Sequence, residues 1–340
     1  MSTNDARNRA VTMKDVAAHA GVSRTAVSLV LNGRHDVTLA SETRARVLQA
    51  AADLGYRPNA GARALAQQRS DWYGLVTEIV TAPFAVEVIK GAQDRASSDG
   101  KYLLIASTES DPVAESAAIE RLLEQRVEGL IYAATWHRAV NVPEIAREVP
   151  TVLVNCFDAE GRYPAVVPDE RAGGRRAAER LLAAGHRRIG FVNLDPGIPA
   201  AVGRREGFHA ALREAGVEPD DLLEISGHAT AHGGFDAAAE LLELREPPTA
   251  IFCANDRMAM GAYDAIKERG LRIPRDIAVI GFDNQELISA YLRPALTTIA
   301  LPFEQMGSVG VDLLAETTAG ESTDTKIVTV DCPLLERSSV

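Results

Sequence analysis

Gly21 stands between two short amphipathic stretches within residues 11–33, and a corner of that kind admits few folds. Upstream, Thr12 is placed to cap a helix. Asp15, three residues on, can return a hydrogen bond to that cap and favours the positive helix end. Val16, Ala17 and Ala20 supply the inner face. Gly21 tolerates the positive φ that a tight corner needs, and Ser23 caps a second helix running to Asn32 and Gly33. Along it Val27, Val30 and Leu31 recur on one side at helical spacing. Arg24, Thr25 and Ser28 fall on the other side, near the N-terminus, where the second helix of a helix-turn-helix meets base edges in a DNA major groove. The bland alternative is a helical hairpin whose polar face only meets water.

A third helix over Ser41 to Leu54, with Val47, Leu48, Ala51 and Leu54 at helical spacing and Gly55 as its stop, closes a three-helix core. Pro58 then forbids further helix, and Asn59 can cap a short new one reaching towards Arg69. A helix that short is marginal alone in water, since isolated helices below roughly 12–15 residues rarely hold. It needs a partner to complete it.

Residues 11–69 resemble the lactose-repressor (LacI) family of bacterial transcription regulators. The resemblance rests on Val11-Thr12, Asp15-Val16-Ala17, Ala20 to Ser23, Val27-Ser28 and Leu31 to Gly33, with Tyr56, Pro58 and Asn59 following at the family spacing. It implies a homodimer whose paired heads grip a pseudo-palindromic operator in double-stranded DNA. It also implies a linker helix that folds on docking, with Leu65 wedged into the minor groove. The DNA-contacting set is then Thr12, Ser23, Arg24, Thr25, Ser28, Asn32, Thr43, Tyr56, Asn59 and Leu65. Ala26 and Leu29 depart from the family's usual residues, so no operator sequence is carried over.

Charge follows the same division. Residues 1–70 hold ten Lys and Arg against five Asp and Glu, whereas the rest of the chain holds 26 against 42. A basic head on an acidic body confines phosphate attraction to the head. The expected organisation is a DNA-binding domain over 1–57, a hinge over 58–70 and a ligand-binding and dimerisation domain over 71–340. Cys156, Cys253 and Cys332 are widely spaced among apolar residues and read as buried thiols in a reducing compartment. No apolar run approaches the roughly 18 residues of a membrane span, and the first residues do not read as a signal peptide. A cytoplasmic protein that makes no use of a membrane is expected.

Beyond Asp71, short β-branched or apolar runs alternate with helical patterns, the mark of parallel sheets wound by helices on both faces. Strands are expected over Tyr73 to Glu78, Tyr102 to Thr108, Gly129 to Ala134, Thr151 to Cys156, Arg188 to Leu194, Leu222 to Ser226, Ala250 to Asn255, Ala278 to Asp283, Thr297 to Leu301 and Thr325 to Val330. The same plan on either side of about residue 165 predicts two lobes, joined by crossings near 155–168, 290–302 and 320–333. This part also resembles the family, and through it the periplasmic sugar-binding proteins. The matching segments are Ala184 to Gly190, Ala254 to Gly261, Val279 to Asn284 and Pro294 to Ile299. The fold class is therefore an all-α helix-turn-helix head with a hinge helix, followed by a two-lobed α/β body like a periplasmic binding protein.

Ligands of open parallel sheets sit at the carboxyl ends of strands. There the resemblance assigns Arg204 to ligand oxygens, Asp283 to ligand hydroxyls or ring nitrogens, and Asn255 to the pocket wall. Phe84 and Trp136 also follow strands and could stack on a sugar ring. His186 reads as structural, and His209, His228 and His232 as mostly solvated. Ala229 stands where many family members carry an aromatic ring. A sugar-like effector is expected, with a nucleobase as the alternative. No nucleophile elbow, Walker loop, dinucleotide fingerprint or metal-ligand spacing occurs, so neither catalysis nor a cofactor is expected. A sugar-binding protein without regulatory role is the remaining rival, and the basic head argues against it. In the expected mechanism, ligand binding to the body changes the free energy of assembling the heads on DNA.

Overall fold

A computed structural model describes residues 11–31, 39–57, 70–320 and 326–340. The chain divides into two compact units, Met1–Asp71 and Trp72–Val340.

In the first unit, α1 (Met13–Ala20) opens with the capping box that the spacing predicts. The Thr12 amide donates to Asp15 Oδ2 at 2.8 Å, and the Asp15 amide donates to Thr12 Oγ1 at 3.4 Å. Gly21 ends the helix at φ 64°. Ser23 Oγ then accepts from the Ala26 amide at 3.1 Å and starts α2 (Arg24–Leu31). Val16, Val27 and Val47 form the centre of a small core closed by α3 (Ser41–Asp53). One expectation fails here: Leu48 is 52 % exposed, and Ala50 takes the inward position because α3 meets the other two helices along its Val47–Ala50–Ala51 face.

The second unit begins with β1 (Trp72–Thr77), α4 (Pro83–Ser98), β2 (Tyr102–Ser107), α5 (Pro112–Glu124), β3 (Leu130–Val140), β4 (Thr151–Asp158) and β5 (Ala165–Pro168). There follow α6 (Glu170–Ala183), β6 (Ile189–Asn193), α7 (Pro199–Glu214), β7 (Glu224–Ser226), α8 (Ala231–Glu243), β8 (Ala250–Cys253), α9 (Asp256–Glu268), β9 (Ala278–Asp283) and α10 (Glu286–Ser289). Last come β10 (Thr297–Ala300), α11 (Phe303–Ala319), β11 (Ile327–Val330) and β12 (Leu334–Leu335). Helices α4, α5 and α7 start on proline, which fits a first turn because no amide donor is needed there.

The strands form two sheets of six, ordered β11-β5-β4-β3-β1-β2 and β12-β10-β9-β8-β6-β7. All pairings are parallel except that of β10 with β12. Strands β1, β4, β6, β8 and β9 are buried almost throughout, as parallel strands covered on both faces must be. The chain passes between the sheets at residue 169, at 301–302 and at 331–333, so α11 and β11 return to the first lobe. The short strands β5 and β12 were not anticipated. Leu222 and Leu223, expected to begin a strand, belong instead to a 3₁₀ turn over Asp221–Leu223, because Asp220 caps it through the Leu222 amide at 3.0 Å. Strand β3 runs to Val140 through an irregularity between Ala133 and Arg138, where its register against β4 shifts.

Helices α6 and α7 approach so closely that neither can carry a side chain at the crossing. A Cβ on Gly174 would lie 2.1 Å from the Arg204 carbonyl oxygen, and one on Gly207 would lie 1.9 Å from that of Arg171. The crossing brings the start of α6 against Arg204. Both obstacles are backbone, so a methyl group must push the helices apart, and overpacking of this kind costs about 1–3 kcal/mol. Gly207→Ala is therefore expected to lower the unfolding free energy of the second unit by that amount, read as a lower urea midpoint at an unchanged m-value. An unchanged midpoint would show that the crossing relaxes freely.

Candidate functional site

A cavity of about 330 Å³ lies between the lobes, at the carboxyl ends of both sheets. Its wall includes Phe84, Trp136, Arg204, Asn255 and Asp283, so the structure brings all five effector candidates together. It also includes Thr135, His137, Asn155, Glu170, Arg257 and Gln285, which sequence reasoning did not single out.

Arg204 is 3 % exposed and its guanidinium lies 3.7 Å from the Phe282 ring centroid. Nε donates to Glu170 Oε2 at 2.7 Å, and Nη1 donates to the Ala254 carbonyl and lies 3.8 Å from Asp283 Oδ1. The fork expected to face a ligand is thus partly committed inside the protein. Nη2 forms no hydrogen bond among the described residues.

Glu170 is the first residue of α6, whose cap is Asp169, accepting from the Ala172 amide at 2.9 Å. Burial alone would raise its pKa. The charge of Arg204 and the hydrogen bonds with His137 and Arg204 outweigh burial and hold it below the ordinary carboxylate value. Its second oxygen lies 3.4 Å from Nδ1 of His137, on a strand of the other lobe. Glu170 therefore touches both lobes.

Asp283 ends β9 with φ 105°, and Asn284 follows with φ 56°. Non-glycine residues in that region carry strain of order 1–3 kcal/mol, and neighbours must hold them there. The fully buried Asp256 accepts from the Gln285 amide at 2.7 Å and from Thr298 Oγ1 at 2.6 Å, while Arg337 Nη2 donates to Asn284 Oδ1 at 2.8 Å. Burial pushes the Asp283 carboxyl up to about 7, against the opposing charge of Arg204 and a hydrogen bond from Gln285, with Glu170 adding to the rise. Asn255 caps α9 by accepting from the Met258 amide at 2.7 Å.

On the first lobe, buried Glu78 accepts from the Thr135 amide at 3.0 Å and from its hydroxyl at 2.5 Å, and it pairs with Arg138. Burial works against ionisation of Glu78, but these donors and the charge of Arg138 hold its pKa low. The carboxylate pins the irregular part of β3, and so presents Trp136, 52 % exposed, and His137 to the cavity. Trp136 thus lies within a strand rather than after one. Phe84, in the first turn of α4, packs against Phe303 with centroids 4.8 Å apart. Asn155, at φ 58°, donates to the Ala134 carbonyl at 3.0 Å. A common signal marks two of the six residues missed: Glu170 and Gln285 each sit two positions beyond the carboxyl end of a strand.

His186 is not part of the cavity wall, and its Nδ1 lies 3.0 Å from Thr249 Oγ1. His209 is not solvated as expected but buried, with Nε2 3.1 Å from Glu224. All three cysteines are buried and free, and burial pushes the Cys156 thiol up to about 12. Among the described residues no cluster of potential ligands could hold a metal ion, and no described helix is long and apolar enough to cross a membrane.

In the helix-turn-helix unit, Ser23, Arg24 and Thr25 are exposed at the start of α2, with Ser28 partly buried one turn on. Thr12 is engaged in its cap, Thr43 is partly buried near the start of α3, and Tyr56 packs against the small core. Asn32, Asn59 and Leu65, with the expected hinge helix, lie outside the described residues.

Residues 12–59 match the family model described as bacterial regulatory proteins, lacI family, and residues 178–340 match a periplasmic binding protein-like domain. The chain is 34 % identical over 332 residues to the HTH-type transcriptional repressor PurR of Serratia proteamaculans (strain 568), covering 97 % of this chain and 96 % of the relative. A solved Lac repressor dimer, bound to operator and the anti-inducer ONPF, superposes with a TM-score of 0.82 at 31 % identity, covering 97 % of this chain and 99 % of that one. A complex of the transcriptional regulator CelR with cellobiose gives 0.68 at 30 % identity, covering 97 % and 100 %.

The titration of Asp283 has a definite sign. Its folded value near 7 exceeds an unfolded value of about 3.9, so the folded state holds more protons between them and this group's contribution to stability falls as pH rises through that window. Asp283→Asn removes the decline. Urea titrations from pH 4.5 to 8 are expected to show the variant gaining on wild type as pH rises, by a few kcal/mol in order of magnitude. Parallel profiles would refute the assignment.

Proposed function

Because the chain belongs to the LacI family of bacterial regulatory proteins, and is a DNA-binding transcriptional repressor rather than an enzyme, we propose that the cavity between its lobes binds a small effector that sets operator affinity. The observation that carries this reading is the gathering of Arg204, Asp283 and Asn255 in one cavity lined from both lobes. A ligand that contacts both lobes favours one of their arrangements, and only such differential binding can shift an equilibrium. Two heads on one pseudo-palindromic site call for a homodimer. A coupling of about 1–3 kcal/mol between ligand and DNA changes operator affinity roughly 5- to 150-fold.

The effector we infer is a sugar. Hydrogen-bonding groups surround the cavity on both lobes, as a ring of hydroxyls requires. The aromatic side chains Phe84, Trp136 and Phe303 all come from the first lobe, and Ala229 lines the second. One ring face stacked and the edges hydrogen-bonded is the usual clamp on a sugar, whereas a planar base is best held by rings on both faces. The relative whose solved complex contains cellobiose supports this reading. A nucleobase is the second reading, favoured by the relatives named PurR.

A thermal-shift screen of sugars and nucleobases, followed by operator binding with each hit, separates the two. The operator is first selected from a random duplex pool. A sugar hit that changes operator affinity supports the first reading, and a nucleobase hit alone supports the second. Arg204→Ala should lose the ligand response while keeping DNA binding, and a normal response in that variant would refute the pocket. In the head, Arg24→Ala should weaken binding to the selected operator by about 1–3 kcal/mol, measured by fluorescence anisotropy at fixed salt. Equal losses on selected and random DNA would restrict Arg24 to phosphate contact.

A further inference from the structure

Arg204 lies between two carboxylates, Glu170 Oε2 at 2.7 Å and Asp283 Oδ1 at 3.8 Å, and all three side chains are buried. A buried charge persists only when it is compensated, and the nearer carboxylate meets that need here. The other cation of the wall, Arg257, is partly exposed and donates through Nε to Gln285 Oε1 at 3.2 Å, so water screens its field. Arg204 therefore offers a ligand a hydrogen-bond donor in Nη2 but little net positive charge. Asp283, the second carboxylate beside it, repels anions whenever it is ionised.

We propose that Glu170 sets the charge selectivity of the cleft: by neutralising Arg204 before any ligand arrives, it admits neutral ligands rich in hydrogen-bond donors and turns away phosphate esters and carboxylates. This rests on the cleft being the effector site, and it concerns the sign of the ligand's charge rather than its identity. Glu170 acts through Arg204 and is in that sense a positioning residue. Its location at the first turn of α6, held against α7 by the Gly174–Gly207 crossing, leaves the carboxylate no other partner of opposite charge on its own lobe among the described residues.

The test is anion rescue. Glu170→Gln removes the nearer counter-charge of a buried guanidinium and leaves only Asp283, at 3.8 Å, so the variant should melt below wild type in chloride. Inorganic phosphate, titrated at constant ionic strength, should then raise its melting temperature saturably, with binding at least about tenfold tighter than any seen with wild type. Adding Arg204→Ala should abolish the rescue. Equal phosphate responses in wild type and Glu170→Gln, or a rescue that survives Arg204→Ala, would overturn the proposal. Should Glu170→Gln fail to fold, calorimetry on wild type decides: tighter binding of glucose 6-phosphate than of glucose overturns the proposal, and binding of glucose with no measurable heat from the phosphate supports it. If a neutral sugar alters operator affinity while Glu170→Gln shows no rescue, the charge assignment fails and the effector reading stands. Rescue with no compound altering operator affinity gives the reverse.

Discussion

The ion pair of Glu170 with Arg204 is the interaction around which the cleft is organised. Arg204 projects from α7 and Glu170 opens α6, so their contact ties two helices of the second lobe together at the point where the chain has just left the first. Buried pairs of this kind seldom add much net stability, since desolvation offsets their attraction, but losing one partner is strongly destabilising. The pair thus acts as a constraint on geometry. It sets where the remaining donor of Arg204 lies and what charge the cavity presents.

Around that pair the polar wall is held by groups that do not face the cavity at all. Asp256 fixes the corner after β9 through the Gln285 amide, Arg337 grips Asn284 from the last residues described, and Glu78 pins the irregular stretch of β3. Each hydrogen-bonds backbone or side chain beside a residue that lines the cavity. The consequence is a preorganised site on the second lobe, facing ring side chains on the first. The His137–Glu170 contact joins the two lobes within the wall, so a change in their relative position is felt beside Arg204.

Much of this was legible beforehand. Thr12, Asp15, Gly21 and Ser23 announced their caps and corner because such features depend on residues within four of one another. The near-continuous apolar runs of β1, β4, β8 and β9 announced parallel strands because both faces are covered. Leu48 misled because helical spacing gives a face without saying which part of it a neighbour will cover. Strand β5 went unnoticed because four residues ending in proline carry little pattern, and with it went Glu170, two positions beyond. His209 looked solvated because nothing local signals Glu224.

From the residues alone came the helix-turn-helix, the doubled α/β plan and the likeness that assigned Arg204, Asn255 and Asp283 to a ligand pocket, since all of these rest on local patterns. Only the tertiary structure decided what those residues touch. Glu170 and Arg204 are 34 positions apart, and they meet because a glycine crossing lets α6 and α7 approach to backbone contact. His137 reaches Glu170 because a shift of register in β3 turns it towards the opposite lobe. Long-range electrostatics of this sort has no period in the chain, which is why the charge of the cleft could be read only from the folded molecule.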